Sequence, residues 1–300
     1  MKNSAPIAVT SRSFSRHPIL RGELLDRYEN VTFNDEGRSL AGDELVAFLR
    51  GKVKAITALE RIGDAILSQL PELEVISKVG VGTDMLDLDA LERHGVRLAW
   101  SPGTNSRSVS ELALALTLAA LRAIVEANAD VRAGNWRQRK GTTLTGKTVG
   151  IVGFGNVGAD FAKLLQPFDC GILAYDVRAL DGIEQVPLEE LLRTADVVSL
   201  HLDLNEQTRG VLSRDRLELM RPGSFLVNTS RGGLVDEQAL KELLHDGRIA
   251  GAAFDVFAVE PPGDADLLGL PNFLATPHIG GSTEEAILAM GRAAIAGLDA

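Results

Sequence analysis

The sequence predicts an α/β chain of two doubly wound parallel sheets. Short apolar runs of strand type alternate with helix-period segments, and the alternation breaks once, at the turn-rich stretch Ser101-Pro102-Gly103-Thr104-Asn105, before it resumes. With 300 residues, 45% of them hydrophobic, the chain can bury two cores. The domains expected are residues 1–101 with 281–300, and residues 102–280.

In the first series, strand-like runs at residues 7–10, 31–33, 55–59, 75–79 and 96–100 are separated by helical segments near 19–28, 43–49, 65–70 and 88–94. Parallel neighbours need long crossovers, and helices covering the sheet supply them. Residues 109–131 then read as one long helix bridging the domains. The second series has strands at 149–152, 172–175, 197–201, 225–228, 249–254 and 273–275, with helices near 188–193, 214–220 and 237–245. A last apolar helix at 284–298 follows Pro277 and is expected to return to the first domain.

Composition narrows the class. A formal charge of -10 opposes a nucleic-acid or anionic membrane partner. Cys170 is the sole cysteine, so there is no disulfide framework and a reducing, cytoplasmic setting fits. The most apolar stretch, 112–125, is interrupted by Thr117 and Arg122 and falls short of a membrane span, and residues 1–10 lack a signal-peptide run. Histidines and acids show no metal-ligand spacing, so no metal is expected, and no Gly-x-Ser-x-Gly elbow surrounds Ser108 or Ser110.

Gly153-Phe154-Gly155-Asn156-Val157-Gly158 is the most informative motif, because it leaves the strand at 149–152 and opens a helix with Val157, Phe161, Leu164 and Leu165 on one face. Gly153 permits the tight turn, Gly155 lets backbone approach a pyrophosphate, and Gly158 lets helix and sheet pack closely. The helix-start amides then face phosphate. Asp176 ends the next strand, where its carboxylate can accept from both ribose hydroxyls. This Rossmann arrangement favours NAD. Arg178 is placed to meet a 2′-phosphate, but Asp176 would repel that dianion.

Hydride transfer on an acid needs a cation for the acid group, a proton relay and a group that tunes the relay. Arg231 follows the strand ending at 228, Glu260 lies in the segment after the next strand, and His278 follows the last. Ligands in doubly wound sheets bind at such strand ends, here expected in a crevice between domains. A guanidinium grips a carboxylate bidentately, and a carboxylate beside an imidazole favours the charged ring and fixes which nitrogen faces the substrate. Asp255 is read either as part of this group or as a cap on its strand. The turn Val79-Gly80-Val81-Gly82-Thr83-Asp84 fits either a small anion nest or a simple turn. His201 is a rival acid that lacks a nearby downstream carboxylate and fits the cofactor wall better.

Taken with Gly82-Thr83-Asp84, Asn105 to Glu111, Arg231-Gly232-Gly233, Glu260-Pro261-Pro262 and His278-Ile279-Gly280, the chain resembles the D-isomer-specific 2-hydroxyacid dehydrogenases, phosphoglycerate dehydrogenase-like members above all. The resemblance runs from about Ile7 to Leu298. It implies a flavodoxin-like substrate domain, a Rossmann NAD domain, and NAD-dependent interconversion of a D-2-hydroxy acid and a 2-keto acid, in a homodimer joined through the nucleotide domains. It assigns Arg231 to substrate, His278 to acid/base work and Glu260 to pairing with it. Asn156, Val157, Asp176, Thr229, Asp255 and Gly280 fall to NAD, with Asp255 near the nicotinamide amide, and Val81 and Gly82 to substrate. Glutamate at 260 disfavours formate, since related formate dehydrogenases carry glutamine there. Asp203 stands where the family's His-x-Pro has proline, and Thr57-Ala58-Leu59-Glu60 lacks the arginine of phosphoglycerate-specific members, with Arg61 and Arg107 close in sequence. Phosphoglycerate is therefore disfavoured as substrate, the activity expected being phosphoglycerate dehydrogenase-like or hydroxypyruvate/glyoxylate reductase-like, and with the chain ending at Ala300 no regulatory amino-acid-binding domain is expected. The other function class on this scaffold is an NADH-responsive corepressor.

Overall fold

The computed structural model describes residues 2–299, which form two compact units, one of residues 2–105 with 281–299 and the other Ser106–Gly280. The first unit holds a parallel sheet of β1 (Ile7–Val9), β2 (Val31–Phe33), β3 (Lys54–Thr57), β4 (Val75–Lys78) and β5 (Arg97–Ala99), in the order β2-β1-β3-β4-β5. This is the flavodoxin-like order. Ile7 pairs with both Val31 and Lys54, and Val75 with Lys54 and Arg97. Alternate side chains feed opposite cores: Ala8 and Ile76 pack with Leu45, Leu49 and Leu91, while Ile7, Val9 and Ile56 pack with Leu20, Leu24, Met290 and Ile295. The last two come from the helix Glu284–Gly297, whose Ala294 carbonyl accepts from Ser77 Oγ at 2.7 Å.

The second unit holds β6 (Thr148–Val152), β7 (Gly171–Tyr175), β8 (Glu184–Gln185), β9 (Val197–Leu200), β10 (Ser224–Asn228), β11 (Ile249–Phe254) and β12 (Phe273–Ala275). Their order, β12-β11-β10-β9-β6-β7-β8, is parallel throughout and winds outward both ways from β6. Ligands bind where such an order reverses. The strands read as unbroken apolar runs because both faces are covered: Val152, Val198 and Leu226 lie in one core, and Val149, Ile151 and Val227 in the other. Sequence pattern missed β8, two exposed residues at the sheet edge.

One expectation fails. The long helix at 109–131 is two helices, Ser106–Leu121 and Ile124–Arg132, bent by 63°. Ala123 adopts left-handed φ 49°, and the Thr142 amide donates to the Leu121 carbonyl at 2.9 Å, taking the acceptor at the end of the first helix. Gly141 makes that approach possible, since a Cβ there would lie 2.8 Å from the same oxygen. No glycine or proline marks the bend itself, so helical period ran through it. Ser106–Leu121 packs within the second unit, its Leu116 and Leu121 sharing a core with Phe161 and Leu165. Ile124–Arg132 buries no residue.

Candidate active site

Three groups of the residues singled out from sequence lie at the carboxyl edge of the second sheet. In the first, after β6, Gly153 takes φ 93° and its amide donates to Tyr175 O at 2.8 Å. A Cβ on Gly158 would lie 2.1 Å from Gly153 O, whereas one on Gly155 would meet open space. The helix Asn156–Leu165 has Gly155 at its N-cap and no side-chain cap, so its first amides suit an outside acceptor.

At the end of β7, Asp176 accepts from the Phe154 amide at 2.8 Å, the Arg178 amide at 3.0 Å and Arg178 Nε at 3.1 Å. The Arg178 guanidinium, aided by both amides against burial, holds this carboxyl down to about 2. Arg178 therefore neutralises Asp176 and is not set aside for a phosphate.

The second group follows β10. Asn228 Oδ1 accepts from the Ser230 amide at 3.1 Å, its Nδ2 donates to Arg231 O at 2.9 Å, and Ser230 Oγ donates to Leu200 O at 2.7 Å. Arg231 Nη1 donates to Ser230 O at 2.7 Å. Thr229 is buried, and its Oγ1 has no hydrogen-bond partner among the described residues. Such an orphan is unusual and fits a polar ligand group.

Beyond β11 and β12 lies the third group. Asp255 is buried, yet its carboxylate is fully engaged with the following loop: Thr276 Oγ1 at 2.6 Å, the Ile279 amide at 2.8 Å and the Gly280 amide at 2.8 Å. Its carbonyl accepts from the His278 amide at 2.8 Å, and Ser108 Oγ donates to Gly280 O at 2.6 Å. So bound, His278 is kept at φ 54°, a left-handed conformation that costs a non-glycine residue roughly 1–2 kcal/mol. Its Nδ1 meets Glu260 Oε2 at 2.8 Å, and Glu260 Oε1 accepts from the Phe257 amide at 3.1 Å. Both side chains are 38% exposed, within reach of a small molecule. A carboxylate oxygen accepts, so in this contact Nδ1 carries the ring proton and Nε2 is the imidazole's other nitrogen.

The structure thus joins Glu260 to His278, which lie 18 residues apart, and sets Arg231 on an adjoining loop. Gly232 abuts the Phe257–Ala258 peptide so closely that a Cβ would stand 1.8 Å from Phe257 C. His201 is no acid: its ring packs 5.1 Å from Phe161, Ser199 Oγ meets Nε2 at 2.9 Å, and burial pushes its pKa down to about 3. It lies under the glycine turn, its carbonyl 2.6 Å from a Gly153 Cβ position. Val81 and Gly82 belong to the turn after β4 in the first unit, where Gly80 takes φ 104° and Trp100 Nε1 donates to Val81 O at 2.7 Å. Ser108, Thr276 and Glu237 were missed from sequence. Thr276 alone carried a signal, its place between β12 and His278.

A family profile, described as the D-isomer specific 2-hydroxyacid dehydrogenase, NAD binding domain, matches residues 114–280. A hydroxypyruvate reductase of Thermotoga maritima is 38% identical over 273 residues, 88% of this chain and 89% of that protein. A D-3-phosphoglycerate dehydrogenase of Methanocaldococcus jannaschii is 40% identical over 282 residues, 91% of this chain but 54% of the relative, so the chain spans about half of that protein. Among solved structures, a D-isomer specific 2-hydroxyacid dehydrogenase from Polaromonas superposes with TM-score 0.92 at 29% identity, covering 99% of this chain and 96% of the other. A glyoxylate reductase from Paecilomyes thermophila gives TM-score 0.87 at 26% identity, over 98% and 94%.

Proposed function

The chain belongs to the D-isomer-specific 2-hydroxyacid dehydrogenases, NAD-dependent oxidoreductases, and from that premise we propose that Arg231, Glu260 and His278 interconvert a small D-2-hydroxy acid and its 2-keto acid. The 2.8 Å contact between His278 Nδ1 and Glu260 carries this proposal. When bound, NAD supplies or takes up the hydride at substrate C2. In reduction His278 Nε2 gives its proton to the carbonyl oxygen, and in oxidation it takes the alcohol proton; Glu260 stabilises the charged ring in both directions. Arg231 pairs with the substrate's acid group.

The residues present fit the cofactor. The glycine turn leaves backbone room, the uncapped helix offers Asn156 and Val157 amides to the pyrophosphate, and the Thr229 hydroxyl awaits a partner. Asp176 already accepts from the Phe154 amide and from the amide, Nε and Nη2 of Arg178, so ribose hydroxyls would share or displace the Arg178 bonds, and its carboxylate supports NAD over its 2′-phosphate by its negative charge. Asp255 and Gly280 are given to the nicotinamide side in this reading, and the three donors bound by the Asp255 carboxylate support a role for it in fixing the loop.

A hydroxypyruvate reductase among the relatives and the lack of arginine at residues 57–60 support hydroxypyruvate or glyoxylate over 3-phosphohydroxypyruvate as substrate. A homodimer is supported by Ile124, Val125, Val131 and Trp136, all exposed, Trp136 at 87%, on and beyond a helix that buries nothing. A cytoplasmic setting suits the unpaired Cys170. NADH oxidation measured with glyoxylate, hydroxypyruvate, pyruvate and 3-phosphohydroxypyruvate tests the proposal. Turnover of at least one is expected; NADH binding with turnover of none would overturn it and favour an NADH-responsive binding protein.

A further inference from the structure

Glu237 opens the helix Glu237–His245, where an acidic residue ordinarily complements the helix dipole. Capping is done by its neighbour, since Asp236 accepts from the Ala239 amide at 3.0 Å. The Glu237 side chain instead leaves the helix and accepts from the Ala258 amide at 2.7 Å. Burial raises its pKa, and the nearby charges of Asp264 and Glu260 push the same way, against the Ala258 hydrogen bond. A carboxylate is thus held among other carboxylates, at an electrostatic cost, where it can anchor one amide.

That amide lies in the arm carrying Glu260. One turn along the same helix, Lys241 Nζ meets Asp264 Oδ2 at 2.7 Å, so a single helix face grips both flanks of the arm. At the first grip, the Phe257–Ala258 peptide is also pressed by Gly232 from the Arg231 loop, and the Phe257 amide just before it holds Glu260 Oε1. With Oε1 so occupied, Oε2 is presented to His278.

We propose that Glu237 is a positioning residue: by fixing the Ala258 peptide against Gly232 it sets the Phe257 amide, and through it the Glu260 carboxylate, at the distance that keeps the His278 proton on Nδ1. The proposal rests on the catalytic role given above to the pair, but its structural content can be read without turnover. The full chain, labelled with ¹⁵N-histidine, is compared as wild type, Glu237→Ala and Glu237→Gln by long-range ¹H–¹⁵N correlation at about pH 9, above the ordinary imidazole range. His278 is assigned by its loss in His278→Gln.

Wild type and Glu237→Gln, which keeps an acceptor for Ala258, should hold the Nδ1–H tautomer. Glu237→Ala should relax toward the Nε2–H form that unpaired imidazole favours in water. In the same samples Glu237→Ala should keep NADH affinity within about twofold and lose roughly tenfold in kcat with KM little changed, a fraction of the effect of losing a general acid. Glutamine should restore most of that rate. Retention of the Nδ1–H tautomer in Glu237→Ala overturns the proposal, and so does equal loss in Glu237→Gln, which would trace the effect to charge. Should the tautomers behave as stated while no 2-keto acid is reduced by wild type, the catalytic reading fails and the positioning stands.

Discussion

At one edge of the second sheet, the turn after β6 is shaped by missing side chains, whereas the loops after β11 and β12 are shaped by side chains that bond one another. Gly153, Gly155 and Gly158 leave room for backbone to meet backbone, and the nearby acid Asp176 is held by its own neighbours Phe154 and Arg178. Asp255 instead binds Thr276, Glu260 binds His278, and Glu237 on the neighbouring helix binds the Ala258 amide of the same loop. The difference matches the tasks proposed for the two regions. A phosphate is met by amides that any sequence supplies once the turn is open, while a proton must be handed over by a particular atom held in place.

The comparison can be broken first at its chemical end. His278→Ala should cut kcat about a thousandfold, roughly 4 kcal/mol of barrier, with NADH affinity unchanged by fluorescence titration. Next comes the loop that holds it. Asp255→Ala would strip partners from the Ile279 and Gly280 amides and from Thr276, and should lower stability in denaturant unfolding by about 3 kcal/mol, with activity lost alongside. At the backbone end, Gly158→Ala should cost about 2 kcal/mol, because its Cβ would overlap Gly153 O, and should weaken NADH binding roughly tenfold while the residual kcat at saturation stays near normal.

The smallest effect is a pH limb. The Asp176 carboxyl is held at about 2 in the folded chain, chiefly by Arg178, against an ordinary 3.8. Its contribution is fully present above about pH 4 and is lost as pH falls through about 2, on the order of 1–2 kcal/mol for this nearly buried side chain. Asp176→Asn should remove that limb from acid unfolding curves and weaken the preference for NADH over NADPH.

The same contrast explains what the sequence disclosed. The strands of both sheets, the exposed β8 apart, were visible as short apolar runs, the central ones buried on both faces, and the glycine turn because its parts sit within six residues of one another. Arg231, Glu260 and His278 stood out as strand-end residues of chemical type. Their partners did not, because Ser108 reaches Gly280 across 172 positions, and Glu237 reaches Ala258 across 21 from a helix start where an acid is ordinary. The break at Ala123 was hidden for a related reason: the residue that ends the helix is Thr142, far along the chain. His201 had the composition of an acid and only its burial removed it.

The pairing of Glu260 with His278 is tested most directly by kcat in a double-mutant cycle of Glu260→Ala, His278→Ala and both together, since only coupled groups depart from additivity. We expect Glu260→Ala alone to cost about a hundredfold and to cost almost nothing further once His278 is gone. Losses that multiply in the double variant would contradict a shared proton relay.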